Sequence, residues 1–180
     1  MTEIRTARLL LRPPTEAEAD AIAAYAGDID IARMIRRIPH PYSRQDALDW
    51  LASMVGNRGE TSLAISLSCS FIGACGFIFS PDRSTAEIGY WLGKPYWGNG
   101  YATEAAQALV RTGFERFGLA AITISHMVDN PASAHVIAKC GFLRTGTDLV
   151  HCVSRRGDVE LVTYALNRGE AQAQPWYQGA

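Results

Sequence analysis

Trp97-Gly98-Asn99-Gly100-Tyr101-Ala102-Thr103-Glu104-Ala105 joins a strand-like run, Ala86-Glu87-Ile88-Gly89-Tyr90-Trp91-Leu92, to the start of a helix. Small or apolar residues then recur at Ala102, Ala105, Ala106, Leu109, Val110, Gly113, Phe114 and Phe117. That is one stripe at helical period. A strand, a glycine-bearing turn and a helix start together make an anion site. The first turn of a helix carries backbone N–H groups without intrahelical partners, at the positive end of the helix dipole. Gly98 and Gly100 can take positive φ and let a phosphate approach the backbone closely. The stretch predicts a site for a phosphorylated cofactor, and an ordinary glycine turn before a core helix is the competing reading of such a motif taken alone.

Spacing narrows the choice. A P-loop needs Lys followed by Ser or Thr after its second glycine, and Tyr101-Ala102 stands there instead. A dinucleotide fold needs three glycines and an acidic residue after the next strand, which is also lacking. The order Trp97-x-x-Gly100-x-Ala102 resembles the pyrophosphate loop of the GNAT superfamily of acetyl-CoA-dependent N-acetyltransferases, Gln/Arg-x-x-Gly-x-Gly/Ala, with Trp at its first position. That Trp, with Tyr-Ala-Thr-Glu-Ala after the glycine, resembles the RimJ/RimL-type, ribosomal-protein N-acetyltransferase branch. Thr6-Ala7-Arg8-Leu9-Leu10-Leu11-Arg12-Pro13-Pro14 is similar to the branch's first strand. Asn130-Pro131-Ala132-Ser133, leading to Cys140-Gly141-Phe142, is similar to its Asn-x-x-Ser…Gly-Phe segment. The segments occur in the right order across about residues 6 to 166.

Composition bounds the remaining classes. The 180 residues suit one domain with a sizeable core, and 48% hydrophobic with 19% charged content is globular. A net charge of −1 carries no electrostatic footprint for nucleic acid. The basic cluster Arg33, Arg36, Arg37 reads as a solvated helix face. No apolar run approaches the roughly 18 to 20 residues that cross a bilayer. Met1-Thr2-Glu3-Ile4-Arg5 does not read as a secretory leader, so a cytoplasmic protein is expected. Cys69, Cys75, Cys140 and Cys152 lack metal-ligand spacing and read as reduced packing residues, with no metal expected.

Along the chain, 8–12 reads as a strand, and Thr15-Glu16-Ala17-Glu18 has capping-box form before a helix to about Tyr25. A short helix is expected over 29–36, and another after Ser43 with Ala47, Leu48, Leu51, Met54 and Val55 on one face. Strands follow at 63–67, 71–79 and 85–92. Beyond the loop helix come a strand at 121–127, a helix opened by Asn130 and Pro131 and closed by Gly141, and a hairpin of 142–150 with 159–166. The fold class is α/β, a single domain with a mixed, largely antiparallel sheet flanked by helices. An acetyltransferase domain is expected over 6–167, and residues 168–180 read as a weakly ordered tail whose Trp176 and Tyr177 would dock on the domain or on a partner. The resemblance implies that the strands flanking the loop helix splay apart to admit pantetheine.

Acetyl transfer from a thioester to an amine needs the amine deprotonated, the carbonyl oxygen stabilised and the departing thiolate received. The cofactor contacts implied are the loop residues Trp97, Gly98, Asn99, Gly100, Tyr101, Ala102 and Thr103. Backbone N–H groups at Trp91, Leu92 and Gly93, where the strands splay, join them, as does the Asn130 side chain, which serves equally as a helix cap. Glu87 is the candidate base, with an arginine-paired or solvent-facing strand glutamate as the alternative. Ser133 is the candidate acid, with first-turn capping as its alternative. His126 ranks below Glu87, since a lone histidine is more often structural. The implied activity is direct transfer from acetyl-CoA to a primary amine, in this branch a protein N-terminal α-amine. Small amines or drugs as acceptors, and a non-catalytic acyl-CoA sensor, are the alternatives; a homodimer is compatible with all of them. Acceptor contacts are expected from 28–57 and from the 150–158 turn.

Overall fold

The computed structural model describes residues 3–178. Among these described residues eight strands form one sheet in the order β1-β2-β3-β4-β5-β6-β8-β7. They are β1 (Ile4–Arg5), β2 (Leu9–Arg12), β3 (Glu60–Leu67), β4 (Ser70–Phe79), β5 (Thr85–Leu92), β6 (Ala121–Met127), β7 (Leu143–Cys152) and β8 (Gly157–Asn167). Every neighbouring pair is antiparallel except β5 with β6. The helices are α1 (Ala19–Ala26), α2 (Ile29–Ala32), α3 (Arg44–Ser53), α4 (Tyr101–Glu115), α5 (Pro131–Cys140), α6 (Arg168–Gln172) and α7 (Pro175–Gln178).

The parallel pair positions the site. β5 meets β6 only at Thr85–Glu87 against Ala121–Thr123. Beyond Glu87 the partners part: β5 stays on β4 up to Leu92 opposite Gly73, while β6 stays on β8 up to Met127 opposite Leu161. The sheet therefore opens into a wedge at its centre, as the resemblance implied.

One layer of apolar side chains lies between the sheet and α4. Ala105, Ala106, Leu109, Val110 and Phe114 of α4 are fully buried against Ile88, Ile122 and Phe77. These are members of the stripe read from the sequence. Gly113 belongs to it for a different reason: a Cβ there would stand 2.7 Å from Ile122 Cδ1, so the glycine lets α4 lie close on β6. On the opposite face, Ile22 and Ala19 of α1 and Ala47 and Leu51 of α3 cover Ala64, Phe71 and Ala74. Truncating a fully buried Phe114 would cost about 3–5 kcal/mol, so the two faces form a firm frame around the opening.

Three expectations are corrected. The sheet begins before residue 6, because Ile4 of β1 pairs with Leu11 and is 6% exposed in the main core. The helix expected over 29–36 stops at Ala32. The carbonyls that would continue it are taken by the β7–β8 turn. Ser154 Oγ donates to Ala32 O (2.9 Å), Arg155 Nε to Arg33 O (2.7 Å) and the Val153 N–H to Arg36 O (2.9 Å). The tail read as weakly ordered is helical up to Gln178. Asn167 and Glu170 form a capping box, and Arg111 Nη2 donates to the carbonyls of Trp176 (2.9 Å) and Tyr177 (3.1 Å). Both aromatic side chains pack on the main core, which outweighs the polar composition around them. Residues 179–180 of that tail lie outside the described residues.

Candidate active site

The loop before α4 has the predicted backbone. Gly98 and Gly100 stand at φ +76° and +79°, and Gly100 is the N-cap of α4. The N–H groups of Tyr101, Ala102 and Thr103 thus open the helix without helical partners. A Cβ on Gly98 would meet nothing within 4 Å, so the space in front of the turn is open. The loop is braced from within: Asn99 Nδ2 donates to Trp97 O (2.9 Å), and Trp97 Nε1 to Leu92 O (2.8 Å). Asn99 and Trp97 therefore shape the cradle with their side chains. The geometry fits a diphosphate.

The wedge between β5 and β6 continues from this loop. The Gly93 N–H is already engaged, donating to Ile72 O at 2.9 Å. By the alternation of an antiparallel ladder, the Trp91 N–H also turns toward β4, while those of Leu92 and Tyr90 turn into the opening. Of the three N–H groups expected there, only that of Leu92 faces the opening. Trp91 instead packs edge-on against Phe71 on the α1–α3 face, with ring centroids 5.8 Å apart.

α5 closes the other wall. Asn130 Oδ1 accepts from the Ser133 N–H at 3.0 Å, so the cap reading of Asn130 holds. Its Nδ2 makes no hydrogen bond among the described residues and remains as the donor toward the wedge. Ser133 Oγ lies 2.9 Å from Tyr90 Oη. Burial pushes the Tyr90 phenol well above its ordinary range, so it stays protonated and able to donate. Tyr90 was missed because it sits on the face of β5 opposite Glu87, amid residues that read as core.

Glu87 lines the same cleft from the face of β5 opposite Tyr90, its side chain 29% exposed. Oε2 accepts from Arg36 Nη2 at 2.9 Å and Oε1 from Ser125 Oγ at 3.0 Å. The arginine-paired reading of Glu87 is what the structure contains. Arg36, expected on a solvated face, is instead tied to Glu87. Arg33 pairs with Asp129 (3.3 Å), Arg36 with Glu87, and Arg37 with Glu60. Asp129 also takes Arg155 at 2.9 Å, and these partners hold its carboxyl below the ordinary range despite partial burial. None of these pairings could be read from spacing, since the partners lie on separate elements.

Glu87 and Ser133 do not touch. They occupy opposite walls of one cleft of about 970 Å³ that runs from Gly100 through the wedge to Arg36, Trp50 and Glu60. His126 points to the α4–α5 side, buried. Its Nδ1 lies 2.8 Å from Met127 O and its Nε2 3.1 Å from Tyr164 Oη. A carbonyl only accepts, so Nδ1 carries the proton and both nitrogens are engaged. Three of the cysteines are buried and Cys69 is exposed on the β3–β4 turn, all with free thiols. Burial pushes the Cys140 thiol up to about 12. Among the described residues no His, Cys, Asp or Glu group could hold a metal, and no helix is long and apolar enough to cross a membrane.

A mostly antiparallel sheet parted at one parallel pair, with a left-handed glycine turn opening the helix beside the gap, is the arrangement that the resemblance to acetyl-CoA-dependent N-acetyltransferases implied. The chain belongs to the GNAT acetyltransferase family, whose acetyltransferase (GNAT) domain matches residues 8–143. It is 29% identical over 151 residues to an uncharacterized N-acetyltransferase, p20, from Bacillus licheniformis, covering 81% of this chain and 85% of that one. It is 39% identical to the ribosomal-protein-serine acetyltransferase of Escherichia coli over 66 residues, 37% of each chain, which supports the RimJ/RimL-like branch. The crystal structure of a GNAT-family acetyltransferase from Bacillus anthracis superposes with a TM-score of 0.81 at 25% identity, covering 92% of this chain and 98% of the other. The protein is thus an N-acetyltransferase of a family that uses acetyl-CoA.

Proposed function

We propose that this chain transfers acetyl from acetyl-CoA to a protein N-terminal α-amine, directly and within a ternary complex. The observation that carries the reading is the single cleft passing through the sheet, with an anion turn at one mouth and Glu87 at the other. The diphosphate rests on the α4 turn at Gly98, Gly100 and the N–H groups of 101–103. Pantetheine runs through the wedge past Asn130 Nδ2. The thioester then lies between the Leu92 N–H and the Ser133–Tyr90 pair.

The neutral amine attacks the thioester carbon, and the C–S bond breaks as the C–N bond forms. The Leu92 N–H stabilises the carbonyl oxygen as it gains charge. Tyr90 donates a hydrogen bond to Ser133 Oγ, so the Ser133 hydroxyl is free to hydrogen-bond the departing sulfur, which leaves as a thiolate and takes its proton from solvent. Glu87, fixed by Arg36 and Ser125, receives the amine proton directly or through a water. An α-amine near pKa 8 has a useful neutral fraction at pH 7, whereas a lysine near 10.4 has little. Much of the rate is then positional. The similarity to the E. coli ribosomal-protein-serine acetyltransferase supports a protein acceptor.

Thiol release from acetyl-CoA, followed over peptides with free N-termini, polyamines and aminoglycosides, tests the reading. Turnover is expected with the peptides and abolished by N-terminal blocking. Turnover confined to polyamines or aminoglycosides would overturn the acceptor assignment, and acetyl-CoA binding without turnover on any amine would indicate a sensor.

A further inference from the structure

Arg8 stands at the end of the β1–β2 connection, far in sequence from the anion turn, yet it is built into that turn. Its Nη1 donates to Asn99 O at 3.0 Å, and its guanidinium carbon lies 4.6 Å from the centre of the Tyr101 ring. Its Nε donates to Glu104 Oε2 at 2.7 Å and its backbone N–H to Glu104 Oε1 at 2.8 Å. Thr6 Oγ1 is a third donor to the carboxylate, reaching Oε1 at 2.6 Å. Burial works against ionising Glu104, but these donors outweigh it and hold the carboxyl below its ordinary range.

The remaining nitrogen is the informative one. Nη2 makes no hydrogen bond among the described residues, and it lies 3.5 Å from where a Cβ on Gly100 would be. It therefore stands over the N-cap glycine whose following N–H groups open α4. Two features call for a cation at that point. Glu104 places a full negative charge in the first turn of α4, which an approaching phosphate would feel. Trp97 is neutral, and its indole N–H is spent on Leu92 O. Among the described residues no other guanidinium or ammonium hydrogen-bonds to the 97–101 loop.

We infer that Arg8 is a cofactor-binding residue whose Nη2 donates to a diphosphate oxygen of the acyl donor, sharing that anion with the N-terminal turn of α4. The inference rests on the acetyl-CoA reading above. Nε and Nη1 hold the fork in place before the ligand arrives, so little side-chain freedom remains to be lost on binding.

Calorimetric titration of CoA into the whole protein and its Arg8→Met and Arg8→Lys variants tests this. The expected result is a dissociation constant raised about tenfold in Arg8→Met and less in Arg8→Lys, with a shallower salt dependence in Arg8→Met, where the charge is lost. Dephospho-CoA, which keeps the diphosphate, should show the same Arg8→Met penalty. S-acetylpantetheine, which has no diphosphate, should be turned over equally by wild type and Arg8→Met. If turnover of S-acetylpantetheine falls in Arg8→Met as far as that of acetyl-CoA does, Arg8 only braces the loop and the inference fails. If the penalty disappears with dephospho-CoA, the contact is to the 3′-phosphate and the diphosphate assignment fails. An unchanged constant with CoA overturns the inference, whereas a wild-type protein that binds no CoA overturns the acetyl-CoA reading itself.

Discussion

The cofactor side of the cleft and its acceptor side are held together by different means. On the cofactor side, neighbours in sequence do most of the work: a left-handed glycine caps α4, Asn99 braces the turn, and Asn130 caps α5 three residues before Ser133, with Arg8 as the long-range tie through Glu104 and Asn99 O. On the acceptor side, long-range ion pairs do it. Arg36 reaches Glu87, Arg37 reaches Glu60, and Asp129 gathers Arg33 and Arg155 from two segments. A site for a constant ligand suits rigid local geometry. A site for a variable acceptor suits segments fastened by half-exposed charges, since each such pair contributes only about 0–1 kcal/mol and can be exchanged.

The largest effect expected lies on the acceptor side. Glu87→Gln keeps shape and hydrogen bonding but accepts no proton at neutral pH, so turnover should fall on the order of 10²- to 10⁴-fold. Activity should recover in part as pH rises toward the amine's pKa. A pH-independent loss in a pH–rate profile would make Glu87 a positioning residue held by Arg36, and the acceptor side purely structural.

Next comes the anion turn. Gly100→Val should raise the KM for acetyl-CoA at least tenfold, and its left-handed backbone (φ +79°) should cost about 1–3 kcal/mol of stability. Gly118→Val is the control, with φ +67° and open space around the added atom. It should lower Tm similarly and leave KM alone. Equal KM values for both would remove the turn from the site.

Ser133→Ala and Tyr90→Phe should each slow single-turnover transfer only a few-fold, because a thiolate of pKa near 8.5 departs fairly well unaided. CoA affinity should hardly change. The double variant should be no slower than Ser133→Ala if Tyr90 acts through Ser133, and additive losses would contradict the coupling.

Smallest is Glu104, whose lowered carboxyl pKa ties α4 to the β1–β2 connection. A group with a depressed folded pKa stabilises above its unfolded pKa, and that contribution is lost as pH falls through the folded value. Glu104→Gln should therefore lower stability by about 1 kcal/mol at neutral pH and leave the melting temperature near that of wild type in acid, below the usual carboxylate range. A constant difference at all pH values would contradict the ionic account.

Reading the sequence succeeded where a local rule was decisive. The αL glycines at 98, 100 and 141, the caps at Ser43 and Asn130, and the apolar stripe of α4 all depend on residues within a few positions of one another. It failed where a distant segment intervened. Nothing near Ile35 shows that its helix ends at Ala32, because the competing donors sit on the 153–155 turn. Nothing near Arg36 names Glu87, and Gly93 read as an exposed N–H because only the sheet register engages it with Ile72. The C-terminal segment misled through composition, since two aromatic rings on the core outweigh the polar residues beside them.

The central claim is that the acyl donor threads the parting of β5 and β6 from the α4 turn. Amide NMR of the protein titrated with CoA tests it most directly. The N–H signals of Leu92, of Tyr101 to Thr103 and of the Asn130 side chain should move strongly, while that of Gly93, bonded to Ile72, should move little. Shifts confined to the α4 turn, with Leu92 and Asn130 unmoved, would mean that the donor binds at the surface and does not pass through the sheet.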